Sequence, residues 1–80
     1  MNAPAMTADT LERLLVTAEL TDRERDVLRL VAAGLPNKVI AIRLEISEKT
    51  VKSHLTNVFQ RIGVTDRTQA ALWAQRNGLG

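Results

Sequence analysis

Eighty residues, 45% hydrophobic and 25% charged, describe one small domain with a single modest core and no room for a second domain or a deep substrate cleft. Zero cysteines exclude a disulfide scaffold, a lone histidine (His54) excludes a zinc site built with softer ligands, and no apolar run approaches the length of a bilayer span. The formal charge is only +2, and the N-terminus lacks the basic and apolar regions of a secretory signal, so a cytoplasmic protein is expected.

Two aromatics, two prolines and few β-branched runs speak against strands, while helix punctuation recurs along the chain, so the fold class is all-α. Residues 1–19 read as a lead-in. Pro4 and its small polar neighbours make 1–9 a flexible start, and Leu11, Leu14, Leu15 and Ala18 fall on one face. That face allows an extra short N-terminal helix over 10–19, either packed on the core or serving as a linker.

The domain proper spans 20–80. Thr21 and Glu24 have capping-box spacing, Leu20 is placed to staple the first turn, and Val27, Leu28 and Val31 follow at helical spacing until Gly34. Asn37 is the candidate cap of a short second helix, in which Val39, Ile40, Ile42 and Leu44 surround the small Ala41. Ser47 caps a third, whose apolar positions Val51, Leu55, Val58, Phe59 and Ile62 run to Gly63. Asp66 and Gln69 repeat the capping-box spacing and open a fourth, ending near Gly78.

The informative stretch is Asn37 to Ile62, where a short helix, a three-residue connection and a longer helix make helix-turn-helix geometry. Ala41 supplies the small residue that close approach needs, and Ile40, Leu44, Ile46 and Val51 can pin both helices to a support. Glu45 stands where many such units carry glycine, and positive φ there costs roughly 1 kcal/mol. With Val51, Leu55, Val58 and Ile62 turned inward, Lys49, Lys52, Ser53, Thr56 and Gln60 form an outward stripe without an acidic residue.

Such a stripe joins long cations suited to phosphates with short donors and acceptors suited to base edges. An ordinary solvated helix face carries similar residues; the short helix and turn ahead of it favour DNA. Charge is divided in the same sense. Residues 1–26 hold three basic against six acidic residues, and 27–80 hold eight against three, a weak hint of a polyanion partner that a solvated face would also produce. His54 has no nucleophile or carboxylate at a telling spacing and fits the edge of the third helix, so no enzyme is expected.

In order and register the chain carries Leu20-Thr21-x-Arg23-Glu24, Asn37-Lys38-x-Ile40-Ala41, Ile46-Ser47-x-x-Thr50-Val51-Lys52-x-His54, Gly63-Val64-x-x-Arg67-Thr68 and a terminal Gly78-Leu79. Together these resemble the LuxR-type (FixJ/NarL) helix-turn-helix domain of bacterial transcription and response regulators, over residues 20–79. The resemblance implies a tetrahelical domain whose third helix, about 48–62, enters the major groove and whose fourth dimerises. It puts base reading on Lys52, Ser53 and Thr56, and phosphate contacts on Asn37, Lys38, Lys49, Thr50 and Asn57, with Arg61 a secondary candidate. Asn37 would both cap and contact.

On the fourth helix, Arg67, Ala70, Ala71 and Ala74 share the face toward the body, and Gln69, Leu72, Trp73 and Arg76 share another, the candidate dimer interface. Trp73 could instead fill the small core. Glu24 and Arg67 are an expected ion pair between the first and fourth helices. The implied partners are double-stranded DNA with palindromic promoter half-sites, a second copy of the chain, and RNA polymerase; no cofactor, metal or membrane is implied. Two other readings stand beside this one: region 4 of a sigma factor, which usually lacks the Gly-Val-x-x-Arg-Thr segment, and a helix-turn-helix module that binds protein. The chain is either the isolated output domain of a larger regulator or a small stand-alone regulator.

Overall fold

A computed structural model of the chain describes residues 7–79 as five helices, α1 (Ala8–Glu19), α2 (Asp22–Ala32), α3 (Asn37–Leu44), α4 (Glu48–Ile62) and α5 (Arg67–Arg76), with no strand among the described residues. The first six residues of the expected flexible lead-in lie outside the described residues. The N-terminal helix starts two residues earlier than its apolar spacing predicts because Thr7 caps it, accepting from the Thr10 amide at 3.1 Å.

Starts of the other helices follow local hydrogen-bond chemistry, with two corrections. Thr21 and Glu24 form the full reciprocal box at α2, and Ser47 accepts from the Thr50 amide at α4. Asn37 does not cap α3. Pro36 holds the cap position with extended backbone and no side chain closes that end, which leaves Asn37 inside the first turn. The box at α5 is half formed: Asp66 accepts from the Gln69 amide at 2.9 Å, but Gln69 Oε1 reaches past Asp66 to the Thr65 amide at 3.1 Å.

Helices α2 to α5 stop in one way. A left-handed residue follows each, Gly34, Glu45, Gly63 and Gly78. The amide of the next residue then returns to a carbonyl five positions back: Leu35 to Leu30, Ile46 to Ala41, Val64 to Phe59 and Leu79 to Ala74, at 2.8 to 3.1 Å. Each of those next residues is apolar and packs on the core, so one short pattern ends a helix and seats the chain at once. The positive φ expected at Glu45 is present, 56°.

The core has two lobes. Leu20, Leu28, Val58, Ala70, Ala74 and Leu79 make one, and Val27, Val31, Ile40, Ala41, Val51 and Leu55 the other. α2 and α4 run through both, α5 closes the first, α3 the second, and Phe59 touches each. Ala70 and Ala74 are fully buried, which is how α5 packs most closely on α2. Leu20, 2% exposed, is a core residue of the first lobe.

α1 stands apart from this packing. Leu11, Leu14 and Leu15 are 47 to 57% exposed, so the face predicted from their spacing exists but is not covered by the body. The helix is tied down at its end, where Arg25 Nε donates to the Thr17 carbonyl (3.4 Å) and Arg61 Nη1 to the Glu19 carbonyl (2.7 Å). The ion pair expected between Glu24 and Arg67 is absent. Glu24 Oε1 lies 3.7 Å from Arg61 of α4, because Arg67 is drawn to the start of α3.

Candidate nucleic-acid interface

The second lobe of the core aims α3 and α4. Val51, Leu55 and Val58 are buried one turn apart along α4, and this anchoring turns the opposite side outward. Lys49, Lys52, Ser53, Thr56, Asn57 and Gln60 are all exposed there, with no carboxylate among them. Ile62, expected inward with the others, is half-buried against the first lobe. His54 is half-buried at the edge of the stripe.

The hydroxyls on this face are already partly committed. Ser53 Oγ donates to the Lys49 carbonyl at 3.1 Å and Thr56 Oγ1 to the Lys52 carbonyl at 3.0 Å. Their protons serve the helix, so in this state the two side chains offer outward lone pairs, matched to amino-group donors such as cytosine N4 or adenine N6 in the major groove. Lys52, next to Ser53 in sequence and one turn before Thr56, supplies the complementary donor. Thr50 is half-buried and shares a 2.8 Å hydrogen bond with the Ser47 hydroxyl; when Ser47 donates, the Thr50 proton remains available to an anion.

A second set of donors lies at the start of α3. Val39 and Ile40 amides bond to the Pro36 carbonyl, no side chain caps the helix, and Lys38 is exposed beside it. An uncapped helix start presents amide protons and the positive end of the helix dipole. Asn37 Oδ1 accepts from Arg67 Nη1 at 2.6 Å, and Arg67 Nη2 donates to the Leu35 carbonyl at 2.5 Å. Arg61, by contrast, is spent on Glu19 and Glu24 at the far end of α4. Neither arginine contact was readable from spacing: their partners are 30 or more residues away in sequence, and the partner expected for Arg67, Glu24, is held by Arg61 instead.

The four residues predicted for the dimer face do come together. Gln69, Leu72, Trp73 and Arg76 line one shallow cleft with Val64, which spacing on the fourth helix had no means of including. Leu72 is 45% exposed, while Trp73 is half-buried and packs on the first lobe, so it belongs to both surfaces that were open to it. Arg76 also lines a neighbouring cleft against Thr10, Leu14 and Thr17 of α1. No group of metal-binding side chains occurs among the described residues, and no helix there is long and apolar enough to cross a membrane.

A short and a long helix joined by a tight left-handed turn, the long one anchored by aliphatics and presenting cations and hydroxyls, define a helix-turn-helix protein of the DNA-binding class. The family described as "Bacterial regulatory proteins, luxR family" matches residues 18–74, and the chain belongs to that family of transcription regulators. It is 48% identical over 61 residues to the nitrate/nitrite response regulator protein NarL of Escherichia coli (strain K12), covering 76% of this chain and 28% of that protein. The transcriptional regulatory protein LiaR of Bacillus subtilis (strain 168) is 48% identical over 68 residues, 85% of this chain and 32% of its own length. The chain thus spans about a third or less of these relatives. Among solved structures, the transcription factor GerE superposes with a TM-score of 0.68 at 45% identity, over 75% of this chain and 90% of that one.

Proposed function

We propose that this chain reads double-stranded DNA in a sequence-specific manner as the output domain of a bacterial transcriptional response regulator, with α4 in the major groove. The observation that carries this reading is the exposed, acid-free stripe Lys49, Lys52, Ser53, Thr56 and Gln60 opposite the buried Val51, Leu55 and Val58. Lys52, Ser53 and Thr56 read bases. Lys49, Thr50 and Asn57, with Asn37 and Lys38 at the uncapped start of α3, hold phosphates. The names of the relatives, response regulators among them, support the output role.

In the same reading two copies pair through Gln69, Leu72, Trp73 and Arg76 of α5, supported by their assembly around one apolar cleft with an exposed leucine. The dimer occupies palindromic half-sites about 34 Å apart, one turn of duplex. It works in the cytoplasm, with RNA polymerase as the machinery it influences. Site selection from a random-sequence duplex pool tests the whole. A palindromic motif with half-sites one helical turn apart is expected, and recovery of no enriched motif would overturn the proposal.

A further inference from the structure

Arg67 holds an unusual electrostatic position. It occupies the first residue of α5 and aims its guanidinium at the first turn of α3, so its charge stands at two helix N-termini, the ends that favour anions. Neither helix has an acidic residue in its first turn, the carboxylate of Asp66 that caps α5 accepts from the Gln69 amide, and no carboxylate pairs with Arg67 among the described residues. Its two bonds go instead to neutral oxygens of the α3 approach, the Leu35 carbonyl and Asn37 Oδ1. For folding alone the sign is wrong. For a passing phosphate it is right.

The bond to Asn37 also settles which end of that amide is free. An asparagine side chain has one acceptor oxygen and one donor nitrogen, and a half-turn about its last bond exchanges them. Arg67 can only donate, so it captures Oδ1 and leaves the Nδ2 protons as the group for an outside ligand. We infer that Arg67 is a positioning residue for DNA-backbone binding: it locks the Asn37 amide donor-outward toward a phosphodiester at the uncapped start of α3. This couples the helix that carries the dimer face to a phosphate contact on another. The inference rests on the proposed DNA-binding role of that helix start.

The test uses the 80-residue chain, a fluorescein-labelled random-sequence duplex and anisotropy titrations over a range of salt, with thermal unfolding of each variant alongside. Asn37→Ala and Arg67→Met should each weaken binding about three- to tenfold, and Arg67→Met should cost clearly less in the Asn37→Ala background than in the unaltered chain. Asn37→Asp keeps an acceptor for Arg67, and so the fold, yet offers no donor; it should bind at least as weakly as Asn37→Ala. Arg67→Lys, able to hold Oδ1 with one bond, should recover part of the loss.

Full multiplication of the two losses in the double variant would make Arg67 an independent contact or a fold element and overturn the inference. So would wild-type binding by Asn37→Asp. If Arg67→Met unfolds, Asn37→Asp and Arg67→Lys decide alone. Failure of the unaltered chain to bind any duplex in a salt-dependent way would instead sink the DNA reading itself.

Discussion

The carboxylate of Glu24 and the guanidinium of Arg61 meet at 3.7 Å where the first turn of α2 faces the last turn of α4, with Glu24 4% exposed and Arg61 44% exposed. The same Glu24 oxygen accepts from the Thr21 amide at 2.9 Å, so one nearly buried acid closes a helix and meets a distant cation. Glu24→Ala should lower stability by about 1–3 kcal/mol, since it removes the reciprocal cap and leaves the Thr21 amide unpaired. Glu24→Gln keeps an acceptor for that amide and should lose less. Urea unfolding of both variants checks the order; equal losses would place the stabilisation in the charge and not in the cap.

Leu20 joins the core while the helix before it does not. Leu20→Ala should cost about 2–5 kcal/mol, the range for a fully packed leucine. Removing residues 1–16 should shift the unfolding free energy by under about 1 kcal/mol, because the leucines of α1 are half exposed and the carbonyls of Thr17 and Glu19, which accept from Arg25 and Arg61 of the body, are kept. Chemical denaturation of the two variants side by side measures the contrast.

Glu45 adopts φ 56° at the turn between α3 and α4, a conformation that is costly for a side chain with a Cβ, and its charge sits at the negative end of α3. Glu45→Gly should therefore stabilise the domain by roughly 0.5–1 kcal/mol after the extra entropy of unfolded glycine is subtracted. A rise in thermal midpoint with unchanged cooperativity is the expected result. A fall would mean that the Glu45 side chain makes a contribution its exposure conceals.

What was legible in the sequence is what is decided locally. Thr21, Ser47 and Asp66 sit three residues before the amide they accept from, and Glu45 follows a helix and precedes an apolar residue, so each could be read from its neighbours. The outward stripe of α4 was readable for the same reason, once three inward aliphatics set the phase. The arginines were not. Arg61 and Arg67 each have reach enough for several partners, and only the packing of α4 on α2 and of α5 beside α3 chooses Glu24 for one and Asn37 for the other. Proline at the α3 cap was missed because Asn37 has the better intrinsic capping chemistry, yet its oxygen is taken by a side chain 30 residues away.

Lys52 and Lys49 should part company in binding experiments. Lys52→Ala is expected to weaken binding to a selected site by about 1–3 kcal/mol and to relax preference at one base position, whereas Lys49→Ala should weaken selected and random duplex alike and reduce the salt slope by about 1. Repeating site selection with each variant, and titrating each against salt, separates the two. An unchanged motif from Lys52→Ala would remove it from the base-reading set.

Leu72 offers the cleanest probe of pairing, being 45% exposed while Trp73 beside it also packs on the core. Leu72→Glu should leave the unfolding midpoint nearly unchanged and binding to a single half-site intact, and should abolish cooperative occupation of two half-sites. Gel-shift titrations on single and paired sites read this directly. Cooperativity equal to that of the unaltered chain would move the pairing surface away from α5.

The outward face of α4 is phase-locked at both ends. Ser47 fixes where the helix starts, and Val64, returned to the Phe59 carbonyl and seated on the core, fixes where it stops. One residue added between them would turn everything beyond it by about 100°, and swing Lys52 or Thr56 out of line with the anchors behind them. New DNA sequences can therefore be reached by exchanging side chains on this helix, while a change in its length breaks the reading frame of the whole face.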